Sequence, residues 1–145
     1  MHVREARPAD RVDVRRVLDA AMLDAEGLPA RIEAGDVLVA VADDRVLGAC
    51  VLVPPDDAPD WVARVGVEGG LERGIDAHVE AIAVRRRRRG EGIGGALIDR
   101  AGGRGALSAA FEADVRPFYE NLGFDVLDGK TPDGRLRAVW TAGRT

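Results

Sequence analysis

Cysteine and histidine are nearly missing from this 145-residue chain, and their scarcity removes whole classes of chemistry. Cys50, the single cysteine, has no second cysteine with which to close an internal disulfide. His2 and His78 stand without a cysteine cluster, so no zinc-ligand spacing is present and no metal is expected. Long apolar runs are lacking as well, since none approaches the roughly 20 residues that cross a bilayer. Met1-His2-Val3-Arg4-Glu5 offers no apolar stretch of the kind that opens a secretion signal, so a cytoplasmic location without membrane attachment is expected. Internal repeats and low-complexity tails are absent too.

What is there suits one compact domain over residues 1–145, because 46% of the residues are hydrophobic and 32% charged. The net charge of −4 argues against a protein that wraps nucleic acid. Of the 21 basic residues all but Lys130 are arginine, and Asp outnumbers Glu sixteen to nine, a bias that speaks of a GC-rich host genome. Five of the arginines stand consecutively, Arg85 to Arg89, and a run of like charge needs either a local partner or another explanation, the bland one being a solvated basic run.

Val3 to Ala6 reads as a short strand, followed by Pro8, a residue at home near a helix start. Val14, Val17, Leu18 and Ala21 recur at i, i+3, i+4 and i+7, which predicts an amphipathic helix over residues 9–23. A weaker helical stretch from Pro29 to Ala34 ends at Gly35. Val37 to Val41 and Val46 to Val53, rich in β-branched residues and separated by Asp43-Asp44-Arg45, predict a β-hairpin. Residues 54–76, with Pro54, Pro55, Pro59, three aspartates before Trp61 and four glycines, read as loop or a short extra strand around Val62 to Val67. His78 to Val84 is then a strand, and Gly92 to Ala101 a helix stopped by Gly102-Gly103. Leu107 to Phe111 follows as a strand and Pro117 to Leu122 as a short helix closing at Gly123. A last hairpin joins Phe124–Leu127 to Leu136–Trp140 across Pro132-Asp133-Gly134. This order predicts an α/β fold, a mostly antiparallel mixed sheet flanked by helices.

Chemistry concentrates in residues 78–95, where a strand, the five arginines and Gly90-Glu91-Gly92-Ile93-Gly94-Gly95 lead into a helix. Glycines let the backbone approach a ligand, and the unpaired N–H groups of a helix's first turn attract phosphate. Arginines beside them add charge-assisted bonds. The same glycines satisfy a dinucleotide fingerprint with Glu112 about 20 residues on. Against that reading, five arginines intervene between strand and glycines, and too little chain follows Glu112 for a second half-domain.

Ile82-Ala83-Val84 and then Arg89-Gly90-Glu91-Gly92-Ile93-Gly94-Gly95-Ala96-Leu97-Ile98 resemble the acyl-CoA-binding motif of the GCN5-related N-acetyltransferases (GNAT). That motif runs Arg or Gln, two residues, Gly, one residue, Gly or Ala, and Arg89, Gly92 and Gly94 fill it. Phe118-Tyr119-Glu120-Asn121-Leu122-Gly123-Phe124 looks like the family's second signature, a tyrosine one turn before Gly-Phe, and residues 54–77 have no clear counterpart.

The resemblance implies a GNAT-like acyl-CoA N-acyltransferase fold with splayed central strands, and acetyl-CoA as co-substrate. The pantetheine arm would pair with Ile82, Ala83 and Val84, and the pyrophosphate would meet the N–H groups of Gly90, Glu91, Gly92, Ile93, Gly94 and Gly95. An N–H near Ala83 would polarise the thioester carbonyl. Arg89 is the motif arginine, and the others would meet the adenosine phosphate or solvent.

An alkylamine, with a pKa near 10.4, must lose a proton before it can attack. Glu80 is the candidate base; His78, two residues earlier, and Glu112 on the following strand are the alternatives. As a strand-end residue His78 is expected to face solvent. Tyr119 matches the tyrosine that protonates the departing thiolate, and its bland alternative is packing with Phe118 and Phe124. Cys50 reads as an inert small hydrophobe. Trp61 reads as a lid residue or a surface aromatic, and Asp56, Asp57 and Asp60 as an acidic surface loop.

The expected activity is acetyl transfer to an amine, a small molecule or a protein N-terminus, by direct attack in a ternary complex, and a homodimer is compatible with it. Residues 24–35 and 54–77, which would shape the acceptor site, carry no motif. Two other classes stay open: an acyl-CoA sensor or partner subunit without catalysis, and nucleic-acid binding through Arg85–Arg89, against which the overall acidity argues.

Overall fold

The computed structural model describes residues 1–24 and 26–142. Ala25, inside the 24–35 segment, and Gly143 to Thr145, at the end of the expected domain, lie outside the described residues. The chain forms two compact units, Met1–Leu52 with Glu80–Ala101 and Val53–Val79 with Gly102–Thr145.

The first unit opens with β1 (His2–Glu5), α1 (Arg11–Ala20), α2 (Leu28–Glu33), β2 (Val37–Ala42) and all but the last residue of β3 (Arg45–Val53). It also holds the later part of β4 (Ala77–Val84) and α4 (Ile93–Ala101). Antiparallel ladders join β1 to β2 and β2 to β3. The hairpin between β2 and β3 turns on two residues, Asp43 and Asp44, both with positive φ (52° and 61°). This is the geometry whose twist matches the flanking strands, and aspartate is among the side chains that tolerate it. α1 is the predicted helix in shorter form, with Val14, Val17 and Leu18 buried against Val37, Val39, Val41 and Ala83 together with Leu28 and Ile32 of α2. Burying each such side chain contributes about 1.5–3 kcal/mol. Gly48 of β3 lies beneath α4, where an added Cβ would stand 3.1 Å from Ile93, 3.2 Å from Leu97 and 3.0 Å from the Ala83 carbonyl.

The second unit holds α3 (Trp61–Glu68), the first residues of β4, β5 (Leu107–Phe111), α5 (Arg116–Asn121), β6 (Asp125–Lys130) and β7 (Leu136–Trp140). β5 and β6 each pair antiparallel with β7. β4 and β5 pair in parallel, with Ala77↔Leu107, His78↔Ser108 and Val79↔Ala109 in register. Across the sheet the strand order is β1-β2-β3-β4-β5-β7-β6, so the connection through α4 is the crossover of a mostly antiparallel sheet flanked by helices. That is the expected fold class, and a dinucleotide fold, which needs consecutive parallel strands, does not match it. Among the described residues no helix is long and apolar enough to cross a membrane.

One element corrects the sequence reading. Val62 to Val67 belongs to a helix, not to a loop or a strand. Trp61, Val62, Val65 and Gly66 are buried while Ala63, Arg64, Val67 and Glu68 are exposed, a two-in, two-out pattern that only a 3.6-residue period produces. Valines suggested a strand, yet Val62 and Val65 serve the helix by packing with Trp61, Ile75 and Val139. Trp61 is therefore a core residue, 6% exposed, and neither a lid nor a surface aromatic. Cys50 is buried, as its apolar neighbours suggest.

The close approach at Gly48 sets a test of packing. Gly48→Ala is expected to destabilise the protein by about 1–3 kcal/mol, since the crowded neighbours include backbone. Urea denaturation of the two proteins measures it, and a change below about 0.5 kcal/mol would mean that α4 shifts freely over β3.

Candidate functional site

Ile82, Ala83 and Val84 are buried at the end of β4. The strand stops there because Arg85 turns its bonds back onto β3: its N–H donates to the Leu47 carbonyl at 2.8 Å, and its Nε to the Val46 carbonyl at 2.6 Å. Arg86–Arg88 make one 3-10 turn, and Arg89 returns to extended backbone with φ −67° and ψ 143°. Gly90 and Gly92 then adopt φ values of +86° and +80°, a conformation that side chains with a Cβ rarely take. These two residues swing the chain into α4, whose ladder begins with the Ala96 N–H donating to the Gly92 carbonyl. The N–H groups of Ile93, Gly94 and Gly95 precede that bond and have no acceptor within the helix.

A Cβ at Gly90, Gly92 or Gly95 would meet nothing within 4 Å. Packing therefore does not demand glycine at these positions. Backbone conformation demands it at Gly90 and Gly92. At Gly95, where an alanine would improve the helix by about 0.5–1 kcal/mol, the missing side chain leaves the first turn open to a ligand.

The arginine run divides by role. Arg85 is structural, bonded to β3, and Arg88 forms an ion pair of 3.3 Å with Glu91 across the loop. Arg86, Arg87 and Arg89 are exposed. With Val84 the run lines one side of a cavity of about 310 Å³, and Arg16, Val17 and Ala20 of α1 with Ala21 just after it line the other. Nothing in the sequence signalled that α1 faces the run, because some seventy residues separate them and only the packing of unit one brings them together.

The candidate bases differ sharply in environment. Glu80 is exposed on β4, and the Nε of Arg31 on α2 lies 3.5 Å from its Oε2. His78 is buried, which corrects the expectation that it faces solvent. Its Nδ1 lies 2.8 Å from the Ser108 hydroxyl, and the Trp61 ring meets it edge-on at 5.3 Å. Burial, aided by the charge of Arg135, pushes the imidazole from 6.5 down to about 4. A buried histidine that stays neutral at physiological pH is core material and a poor proton acceptor. Glu112 is exposed, and its carbonyl opens the short turn Ala113–Val115.

Tyr119 of α5 is buried, with its ring stacked on Phe111 at 4.1 Å and edge-on to Phe118 and Phe124 at 5.3 and 5.6 Å. The helix that carries it closes at Gly123, whose φ of +99° lets the chain turn into β6. Ile82 to Val84, Arg89 to Gly95 and Glu80 thus occur together in the first unit, while His78, Glu112 and Tyr119 belong to the second. Among the described residues no group of three His, Cys, Asp or Glu is placed to hold a metal ion.

A family model for the acetyltransferase (GNAT) domain matches residues 33–126. An N-acetylglutamate synthase from Neisseria gonorrhoeae, complexed with coenzyme A and L-arginine, superposes with a TM-score of 0.69 at 13% identity over 98% of this chain and 33% of that one. This chain thus spans about a third of that structure's length. Rv2747 from Mycobacterium tuberculosis, in complex with CoA and NLQ, gives a TM-score of 0.66 at 18% identity over 97% of this chain and 99% of that one. A GNAT-family acetyltransferase from Listeria monocytogenes gives 0.65 at 18% identity over 96% and 93%. At such identities the likeness concerns the fold. No curated protein matches the chain.

The buried imidazole has a measurable consequence. Its pKa is lower in the folded chain than in the unfolded one, so the unfolded state binds the extra proton, and His78's contribution is whole above pH 6.5 and lost as pH falls toward 4. Between pH 7.5 and 5 the native protein is expected to lose about 2 kcal/mol more stability than His78→Asn. Urea denaturation at the two pH values measures the difference, and equal losses would contradict the buried neutral ring.

Proposed function

The chain belongs to the GNAT acetyltransferase family, and from that premise we propose that it carries the acetyl group of acetyl-CoA to an amine, a small molecule or a protein N-terminus. Residues 1–145 act as one catalytic domain in this reading, in the cytoplasm and as a monomer or homodimer.

The observation that carries the reading is the junction from Val84 to Gly95. Two left-handed glycines, first-turn amides without helical acceptors, open ground where Cβ atoms would stand, and exposed arginines suit a diphosphate. Gly90, Glu91, Gly92, Ile93, Gly94 and Gly95 donate main-chain N–H groups to it, and Arg89 adds charge. Ile82, Ala83 and Val84 lie beyond the last registered β4–β5 pair at Val79, and they offer backbone groups to the amides of the pantetheine arm. The Ala83 N–H polarises the acetyl carbonyl, where a fixed donor acts most strongly on developing oxyanion charge.

Glu80, exposed to solvent, accepts the proton of the attacking amine directly or through one water. The amine nitrogen bonds to the carbonyl carbon, the C–S bond breaks, and Tyr119 gives its proton to the departing thiolate. A phenol near pKa 10 and a thiol near 8.5 make that transfer slightly uphill, so proton and leaving group move in concert. The products are the amide and free coenzyme A, and solvent restores the tyrosine proton.

Isothermal titration is expected to give micromolar binding of acetyl-CoA and none of NADH, and thiol release over an amine library then identifies turnover. Binding of NADH without acetyl-CoA would overturn the reading. Gly92→Ala, strained by its left-handed backbone, is expected to weaken acetyl-CoA binding about tenfold or more. Tyr119→Phe keeps the ring packing with Phe111, Phe118 and Phe124, and kcat is expected to fall on the order of 100-fold. Glu80→Gln lowers kcat/KM by a similar factor at neutral pH, and its rate climbs about tenfold per pH unit as more amine is already neutral. Binding of acetyl-CoA without thiol release from any amine would leave the acyl-CoA sensor as the better account.

A further inference from the structure

We infer that Arg31 is a specificity-determining residue that selects acceptors carrying a carboxylate beside the amine, so that the substrate class is the free α-amino acid and not the protein N-terminus. The inference rests on the reading of Glu80 as the group that receives the amine's proton.

Arg31 and Glu80 are 49 positions apart, and the packing of α2 against β4 within one unit brings the Arg31 Nε to 3.5 Å from Glu80 Oε2. The two side chains are only 24% and 32% exposed, so both charges are partly withdrawn from water. Despite this proximity the Arg31 Nε–H is buried and makes no hydrogen bond among the described residues. A salt bridge built only to tie α2 to β4 would direct that N–H at the carboxylate, since charge-assisted bonds are worth roughly twice neutral ones. That N–H is itself closed to a ligand, but 24% of the side chain stays exposed, and a cation held this loosely by its carboxylate at 3.5 Å keeps attraction for a second anionic acceptor.

A free amino acid supplies one. Its ammonium nitrogen and carboxylate oxygens lie roughly 3 Å apart by standard backbone dimensions, which is close to the separation of Glu80 from Arg31. The amine can face Glu80 while the carboxylate takes the guanidinium fork, whose planar donors fit it better than a lysine ammonium would. A peptide N-terminus presents an amide carbonyl at the same place and gives the guanidinium no charge partner. A decarboxylated amine presents nothing.

The test uses the full chain with saturating acetyl-CoA and follows thiol release with three acceptor sets: free L-amino acids, their carboxamides and the corresponding decarboxylated amines. The native protein is expected to favour amino acid over carboxamide by about 10–100-fold in kcat/KM, mainly through KM. Arg31→Gln should bring that ratio close to one, and Arg31→Lys, which keeps the charge without the fork, should give an intermediate ratio. The Lys variant also carries the test should the Gln variant fail to fold. Turnover of amines with a native ratio near one overturns the carboxylate preference, and a ratio that persists in Arg31→Gln overturns the role of Arg31. Absence of thiol release from all three sets, with acetyl-CoA bound, overturns the transfer reading instead, and this inference with it.

Discussion

The left-handed backbone at Gly90 and Gly92 is the constraint from which the rest of the candidate site follows. A strand cannot run directly into a helix across a buried sheet end without a reversal, and two positive φ values supply it. Arg85 fixes where that reversal starts, because both its main-chain N–H and its Nε are committed to carbonyls of β3. With both ends held, the amides of the first turn of α4 that have no helical acceptor form a preorganised set. Donors that need no rearrangement at the moment of binding lose little entropy when a ligand arrives.

Charge is distributed to the same end. A run of five arginines in a chain of net charge −4 is unfavourable if all five project together. The fold relieves this by giving them different surroundings, with one bonded to β3, one paired with Glu91, and three exposed around the cavity that the run lines. α1 and the residue after it close the other side of the cavity with an apolar floor of Val17, Ala20 and Ala21 and a further arginine, Arg16. Apolar walls around cationic groups exclude water and strengthen their attraction for an anion.

Most elements were legible because their signals are local. The i, i+3, i+4 spacing of α1, the β-branched runs of β2 and β3, and the glycine that ends α5 each act within a few residues. The glycine turn between Arg89 and Gly95 was legible for the same reason, since its left-handed positions fall on residues close together in the chain. α3 was misread because valine favours strands, and eight residues between turns give periodicity little room to outweigh that preference. His78 was misread because solvent exposure depends on what covers a strand, and Trp61, its cover, comes from that same misread helix.

The sequence by itself determined the order and kind of nearly every element, the glycine turn and the family signature, all of which arise from neighbours along the chain. Tertiary structure alone decided which ionisable groups stay in water and which lose it, as Glu80 and His78 demonstrate two residues apart on one strand. It also decided that Arg31 meets Glu80 and that α1 faces the arginine run. Burial and ion pairing are properties of surfaces brought together across long separations, and no local periodicity encodes them.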